Sequence, residues 1–119
     1  MSKSVLVICR SAPYRSSAAR DALDMALSCA VFELPVSLLL LDDAVLQLLP
    51  GQQSGAIGEK SVNAMLGALP MYDIDRIYTS LASLAAHGLE AESLDPSPEV
   101  LDADELKQLI DGHEVVLTL

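Results

Sequence analysis

Val36-Ser37-Leu38-Leu39-Leu40-Leu41-Asp42-Asp43-Ala44-Val45-Leu46-Gln47-Leu48-Leu49-Pro50-Gly51 is the stretch from which the fold can be read. Its aliphatic run, 36–41, is too short to cross a membrane and stops abruptly at two carboxylates. Six residues without polar alternation are the signature of a strand buried on both faces, as in a parallel sheet. An acid directly after such a strand can cap a helix by accepting first-turn N–H groups. Val45, Leu46, Leu48 and Leu49 then recur at helical spacing until Pro50-Gly51. The stretch is expected to form a strand, a sharp turn and a short helix. In open α/β sheets, reactive groups and ligands gather at the carboxyl ends of strands.

The same grammar extends in both directions. Residues 5–9, Val-Leu-Val-Ile-Cys, form a second buried-type strand, and 10–17 form the loop leaving it. Ser16 or Ser17 can cap the next helix, with Asp21 near its positive end. Ala19, Ala22, Leu23, Ala26, Cys29 and Ala30 give that helix a small apolar stripe suited to lying close on a sheet. Past Pro50-Gly51, 52–58 is a polar, glycine-containing loop, and 60–69 is expected to be a helix ended by Pro70. A third strand is expected over 75–80, and a helix over 81–87 closed by Gly88. A weak strand is placed at 91–94, a turn at 95–98, an acidic helix at 102–111 and a last strand at 114–119. Strands alternating with helices imply one α/β domain spanning 1–119, with helices on both faces of a mostly parallel sheet.

Apolar residues make up 51% of the chain, with no Trp, one Phe and three Tyr, so the core must be aliphatic. Aromatic platforms for single-stranded nucleic acid are poorly supplied. The net charge of −10 repels phosphate backbones, and direct nucleic-acid binding is not expected. The charge is uneven: Lys3, Arg10, Arg15 and Arg20 precede every acid. Glu90, Glu92, Asp95, Glu99, Asp102, Asp104, Glu105, Asp111 and Glu114 crowd the last thirty residues. That acidic end is either a solvated face or a surface for a basic partner. Without a signal peptide or a transmembrane run, and with two isolated cysteines, the chain reads as cytoplasmic with reduced thiols.

Few residues offer chemistry. No P-loop and no GxGxxG follows a strand, and neither histidine stands at metal-ligand spacing, so no cofactor or metal is expected. Cys29 lies on an apolar helical stripe, as a core residue does. Cys9 ends its strand near Arg10 and Arg15, a setting that favours a thiolate, but shares its strand with core residues. Asp42 and Asp43 are adjacent, which suits capping better than a metal or acid–base pair. His87, in a last helical turn, suits the helix dipole. Ser80 sits between strand and helix like a nucleophile elbow, but lacks the flanking glycines of GxSxG.

Five segments carry a resemblance. Arg10-x-Ala12-Pro13-Tyr14, Ala19-Arg20-x-Ala22-Leu23-Asp24, the block 36–52, Leu69-Pro70-x-Tyr72-Asp73-Ile74 and Ser83-Leu84-x-x-x-Gly88-Leu89 together resemble the TusC/DsrF family of small sulfur-relay subunits. The Leu-Asp-Asp-x-Val-x-Gln-Leu-Leu-Pro-Gly block is the specific part, and the likeness covers almost the whole chain. Arg15 and Ala44 stand where the family often has glycine.

The resemblance implies a three-layer α/β/α fold with a five-stranded, mainly parallel sheet. It implies assembly with TusB-like and TusD-like chains into a 2:2:2 heterohexamer. Such a complex passes persulfide sulfur to a TusE-like carrier, toward 2-thiouridine at the tRNA wobble position. In sulfur oxidisers the related DsrEFH complex serves dissimilatory metabolism. The family's transferring cysteine belongs to the TusD/DsrE-type subunit, about eight residues before a helix-ending glycine. Counting back from Gly88 lands on Ser80, whose hydroxyl cannot hold a persulfide. The chain is therefore expected to be a non-catalytic subunit, with Tyr14, Arg15, Asp42, Asp43, Gln47 and Ser80 at an interface or cleft. A thiol carrier using Cys9, and a free-standing ligand-binding domain, are the alternatives.

Overall fold

A computed structural model describes residues 3–11, 18–49 and 66–119. Five strands form one sheet: β1 (Val5–Cys9), β2 (Val36–Leu40), β3 (Ile77–Ser80), β4 (Glu99–Leu101) and β5 (Val115–Thr118). Their spatial order is β4-β3-β2-β1-β5, and every pairing is parallel. Val5 lies opposite Val36 on one side and Val115 on the other, so β1 is an interior strand between β2 and β5. All residues of β1 and β2 are buried, which explains their unbroken apolar sequence.

Helices cover both faces. On the first, α1 (Ala18–Val31) sets Ala19, Ala22, Leu23 and Ala26 against Val5, Val7, Cys9, Val36, Leu38 and Leu40. Alanines at the contact let the helix lie close on the strands. The six-residue α2 (Leu81–Ala86) adds Leu84 to the same layer. On the second face, α3 (Ala103–Asp111) brings Leu106, Leu109 and Ile110 to Leu6, Ile8, Leu39 and Tyr78. Its start is a capping box: the Glu105 N–H donates to Asp102 Oδ1, and Glu105 Oε1 accepts from the Asp102 N–H.

Three returns to the sheet share one device. Glu33 N–H bonds Ala30 C=O while Leu34 N–H bonds Cys29 C=O. Asp73 and Ile74 repeat the pattern onto Pro70 and Leu69, as do Gly88 and Leu89 onto Ala85 and Leu84. Each is a Schellman closure, with a left-handed residue and an apolar pair locking the exit. The left-handed residues are Glu33, Asp73 and Gly88, at φ 62°, 64° and 62°. Only Gly88 announces itself in the sequence.

Several expectations change. The helix after β2 is a 3₁₀ segment, Asp42–Leu48, and its N-cap residue is Leu41 rather than either aspartate. Leu41 is already extended and Asp42 is left-handed at φ 54°. The α-helix before Pro70 ends at Ala68, and Pro70 itself sits within the 3₁₀ turn that follows, Leu69–Tyr72, where its missing N–H costs nothing at the first positions. The weak strand placed at 91–94 is a 3₁₀ turn, Ala91–Ser93, and β4 comes later. β3 starts at Ile77 rather than at residue 75. The Ser16/Ser17 cap, the 52–58 loop, Pro50-Gly51 and the start of the 60–69 helix lie outside the described residues.

Candidate functional site

The carboxyl ends of β1, β2 and β3 converge, and the polar groups there are stitched to one another. Thr79 Oγ1 donates to Leu40 C=O at 2.6 Å, and Leu41 N–H donates to Cys9 C=O at 3.0 Å. Arg10 meets the Asp42 carboxylate at 3.1 Å across the mouths of β1 and β2, with both side chains exposed. Exposure makes this pair a weak tether.

Ser80 ends β3 and is the N-cap of α2. Its Oγ accepts from the Ser83 N–H at 3.0 Å and lies 2.7 Å from Ser83 Oγ. Ser83 Oγ in turn accepts from the Asp42 N–H at 2.9 Å. This last bond requires the left-handed turn at Asp42, which aims the amide at α2. Both serines are buried. The bonds shown by Ser80 Oγ go to an amide and a hydroxyl, neither of which can remove its proton. An alcohol so placed caps a helix, and among the described residues no base is bonded to it that would make it a nucleophile.

His87, at the end of α2, sets Nε2 3.1 Å from Asp43 Oδ1. The two acids thus part company: Asp42 serves the β1 loop and Asp43 serves α2. Gln47, buried in the 3₁₀ segment, sends Nε2 to Ser11 C=O at 3.1 Å and to Cys9 Sγ at 3.5 Å. The Cys9 thiol faces Ser11 C=O at 4.0 Å and is 0% exposed. Of the two cations expected near the thiol, Arg10 leans to Asp42 and Arg15 lies outside the described residues. Cys29 is half-buried against the first core layer.

Asp42, Asp43, Gln47 and Ser80 therefore lie around one rim, whereas Tyr14 and Arg15 fall outside the described residues. Sequence reasoning missed Ser83, although Ser-x-x-Ser between strand and helix is a capping pattern. It also missed His87 as the partner of Asp43. Among the described residues no group of His, Cys, Asp or Glu could hold a metal ion, and no helix is long and apolar enough to cross a membrane.

The opposite rim carries a different feature. Val31 and Phe32 at the end of α1, and Met71 and Tyr72 at the end of the second 3₁₀ turn, are exposed although apolar. The only phenylalanine of the chain is 78% exposed and Met71 85%.

The family model described as DsrE/DsrF-like matches residues 3–119. The chain is 44% identical to "Protein TusC homolog" of Pseudomonas aeruginosa, over the full length of both. It is 32% identical to "Intracellular sulfur oxidation protein DsrF" of Allochromatium vinosum, covering 98% of this chain and 96% of that one. The crystal structure of the ychN protein from E. coli superposes with a TM-score of 0.85 at 26% identity, covering all of both chains.

Proposed function

Because the chain belongs to the DsrE/DsrF-like family, we propose that it is a non-catalytic subunit of a sulfur-relay complex. It works in the cytoplasm with TusB-like and TusD-like chains in a 2:2:2 assembly. The complex relays persulfide sulfur through a TusE-like carrier toward 2-thiouridine at the tRNA wobble position. The observation that carries this proposal is Ser80. It stands at the carboxyl end of β3 with its hydroxyl committed to capping α2, and oxygen in place of sulfur cannot accept a sulfane sulfur as a persulfide. The chain's part is then to shape and hold its partners, for which the exposed Val31, Phe32, Met71 and Tyr72 supply apolar surface.

A dissimilatory role is the second reading, favoured by the likeness to DsrF of Allochromatium vinosum. The higher identity to the TusC homolog of Pseudomonas aeruginosa supports the tRNA pathway over it. A carrier role for Cys9 fits poorly with a thiol at 0% exposure.

The test is persulfide transfer and thiouridine formation by complexes reconstituted with each variant. Ser80→Ala should leave transfer within about twofold, a barrier change under roughly 0.5 kcal/mol. A loss of about a hundredfold with the complex intact would show that Ser80 takes part in the chemistry.

A further inference from the structure

At the amino ends of the strands, two chain exits are built alike. α1 leads into β2 through Phe32-Glu33, and the 3₁₀ turn Leu69–Tyr72 leads into β3 through Tyr72-Asp73. β2 and β3 are neighbours in the sheet, and α1 packs against that 3₁₀ turn, so the exits stand side by side. Each turns on an acid held left-handed, Glu33 at φ 62° and Asp73 at φ 64°. Each acid directly follows an exposed aromatic, Phe32 or Tyr72, with Val31 and Met71 exposed just before them. Neither carboxylate has an ion pair or side-chain hydrogen bond among the described residues. A left-handed backbone disfavours any residue with a Cβ, and no local bond offsets that here. Positions that break a local rule without a compensating contact are where function is expected.

We propose that this rim docks a partner-protein face of apolar side chains ringed by lysine or arginine. Glu33 and Asp73 take the cations, and Val31, Phe32, Met71 and Tyr72 take the apolar contact. Aromatic residues and methionine are enriched where protein interfaces are driest, with polar groups at their margin. Charge selects the occupant. Along the two exits, 32–35 and 73–76, Glu33, Asp73 and Asp75 outnumber Arg76. A second copy would bring the same acids to the contact, against a net charge of −10 on each chain. Nucleic acid and anionic lipid meet the same repulsion. A basic, apolar protein face satisfies both halves of the rim. The proposal rests on the reading that the chain works within a complex, and gives the chemistry of the surface that meets it there.

Sedimentation of the full chain with purified TusB-like and TusD-like chains, at low and high salt, tests it. Phe32→Ser with Met71→Ser should weaken binding of at least one of them about tenfold or more at either salt. Glu33→Gln with Asp73→Asn should weaken the same contact about tenfold at low salt and less at high salt. Glu33→Gly should weaken it too, although it relaxes the backbone, so that lost affinity is separated from lost fold. Glu92→Gln with Asp111→Asn removes as much charge elsewhere and should leave the contact unchanged. Assembly indifferent to both rim pairs, or strengthened when Glu33 and Asp73 are neutralised, would overturn the proposal and leave the relay reading standing. So would an equal loss in the Glu92 and Asp111 control. A dimer of the chain alone that Phe32→Ser with Met71→Ser abolishes would give the rim to a second copy instead. A wild type that binds neither partner chain would overturn both readings.

Discussion

Residues at three helix ends show how the backbone sets local cost. Glu33 and Gly88 occupy the same left-handed position in equivalent closures, at φ 62° in both. A Cβ there is disfavoured by about 1 kcal/mol, and more for a side chain that makes no local bond. Glu33→Gly should therefore raise stability by about 0.5–1 kcal/mol, part of the relief being returned as lost chain entropy. Gly88→Ala should lower it by about 1 kcal/mol, purely through conformation, because an added Cβ meets nothing within 4 Å. Urea denaturation of the two variants checks both signs, and equal effects would contradict the shared-closure account. Ser80 belongs to the same scale. Ser80→Ala deletes an N-cap and leaves Ser83 Oγ with one bond fewer, a loss of about 1 kcal/mol. Its effect should appear in the melting curve and not in the transfer rate. Gly88 was legible in the sequence because glycine has one reading after a helix. Glu33 and Asp73 were not, because their conformation follows from the apolar pairs Cys29/Leu34 and Leu69/Ile74 rather than from their own chemistry.

Elements declared themselves in proportion to how fully they are buried. β1 and β2 have no exposed residue, so their composition alone marks them. β4 has one buried residue, Leu101, between a proline-rich turn and an acidic helix, and no periodicity survives in three residues. The 3₁₀ segment after β2 carries helical spacing but is pulled tight by Asp42, whose amide is spent on Ser83 in α2. That bond joins residues 41 positions apart, and local sequence cannot display it. The candidate rim was accordingly half legible. Ser80 follows from counting back from Gly88, whereas the Ser80–Ser83–Asp42 chain and the Asp43–His87 pair need the neighbouring elements in place. The capping box of α3 offers a check at this scale. Asp102→Ala should cost about 1 kcal/mol and loosen amide-exchange protection over Ala103–Asp111. Protection unchanged in that helix would mean that its packing on Leu39 and Tyr78, not its cap, holds it.

The whole molecule presents two unlike rims and a strongly acidic field. With a net charge of −10, the isolated chain should show no salt-dependent binding to tRNA, as a filter or fluorescence titration would register. Micromolar binding that weakens steeply with salt would reveal an electrostatic site built from the arginines of the first twenty residues. Val31, Phe32, Met71 and Tyr72 expose apolar surface at the amino ends of the strands. The carboxyl-end rim is tied shut by Ser80, Ser83, Asp42 and Gln47. What distinguishes a scaffold from a carrier is whether sulfur ever resides on the chain. Intact-protein mass spectrometry of the reconstituted complex, quenched at intervals after addition of a persulfide donor, measures this directly. The added sulfur should appear on the TusD-like subunit and then on the TusE-like carrier, with Cys9 and Cys29 of this chain unmodified throughout. A persulfide on Cys9 that forms and decays at the rate of overall transfer would contradict the account.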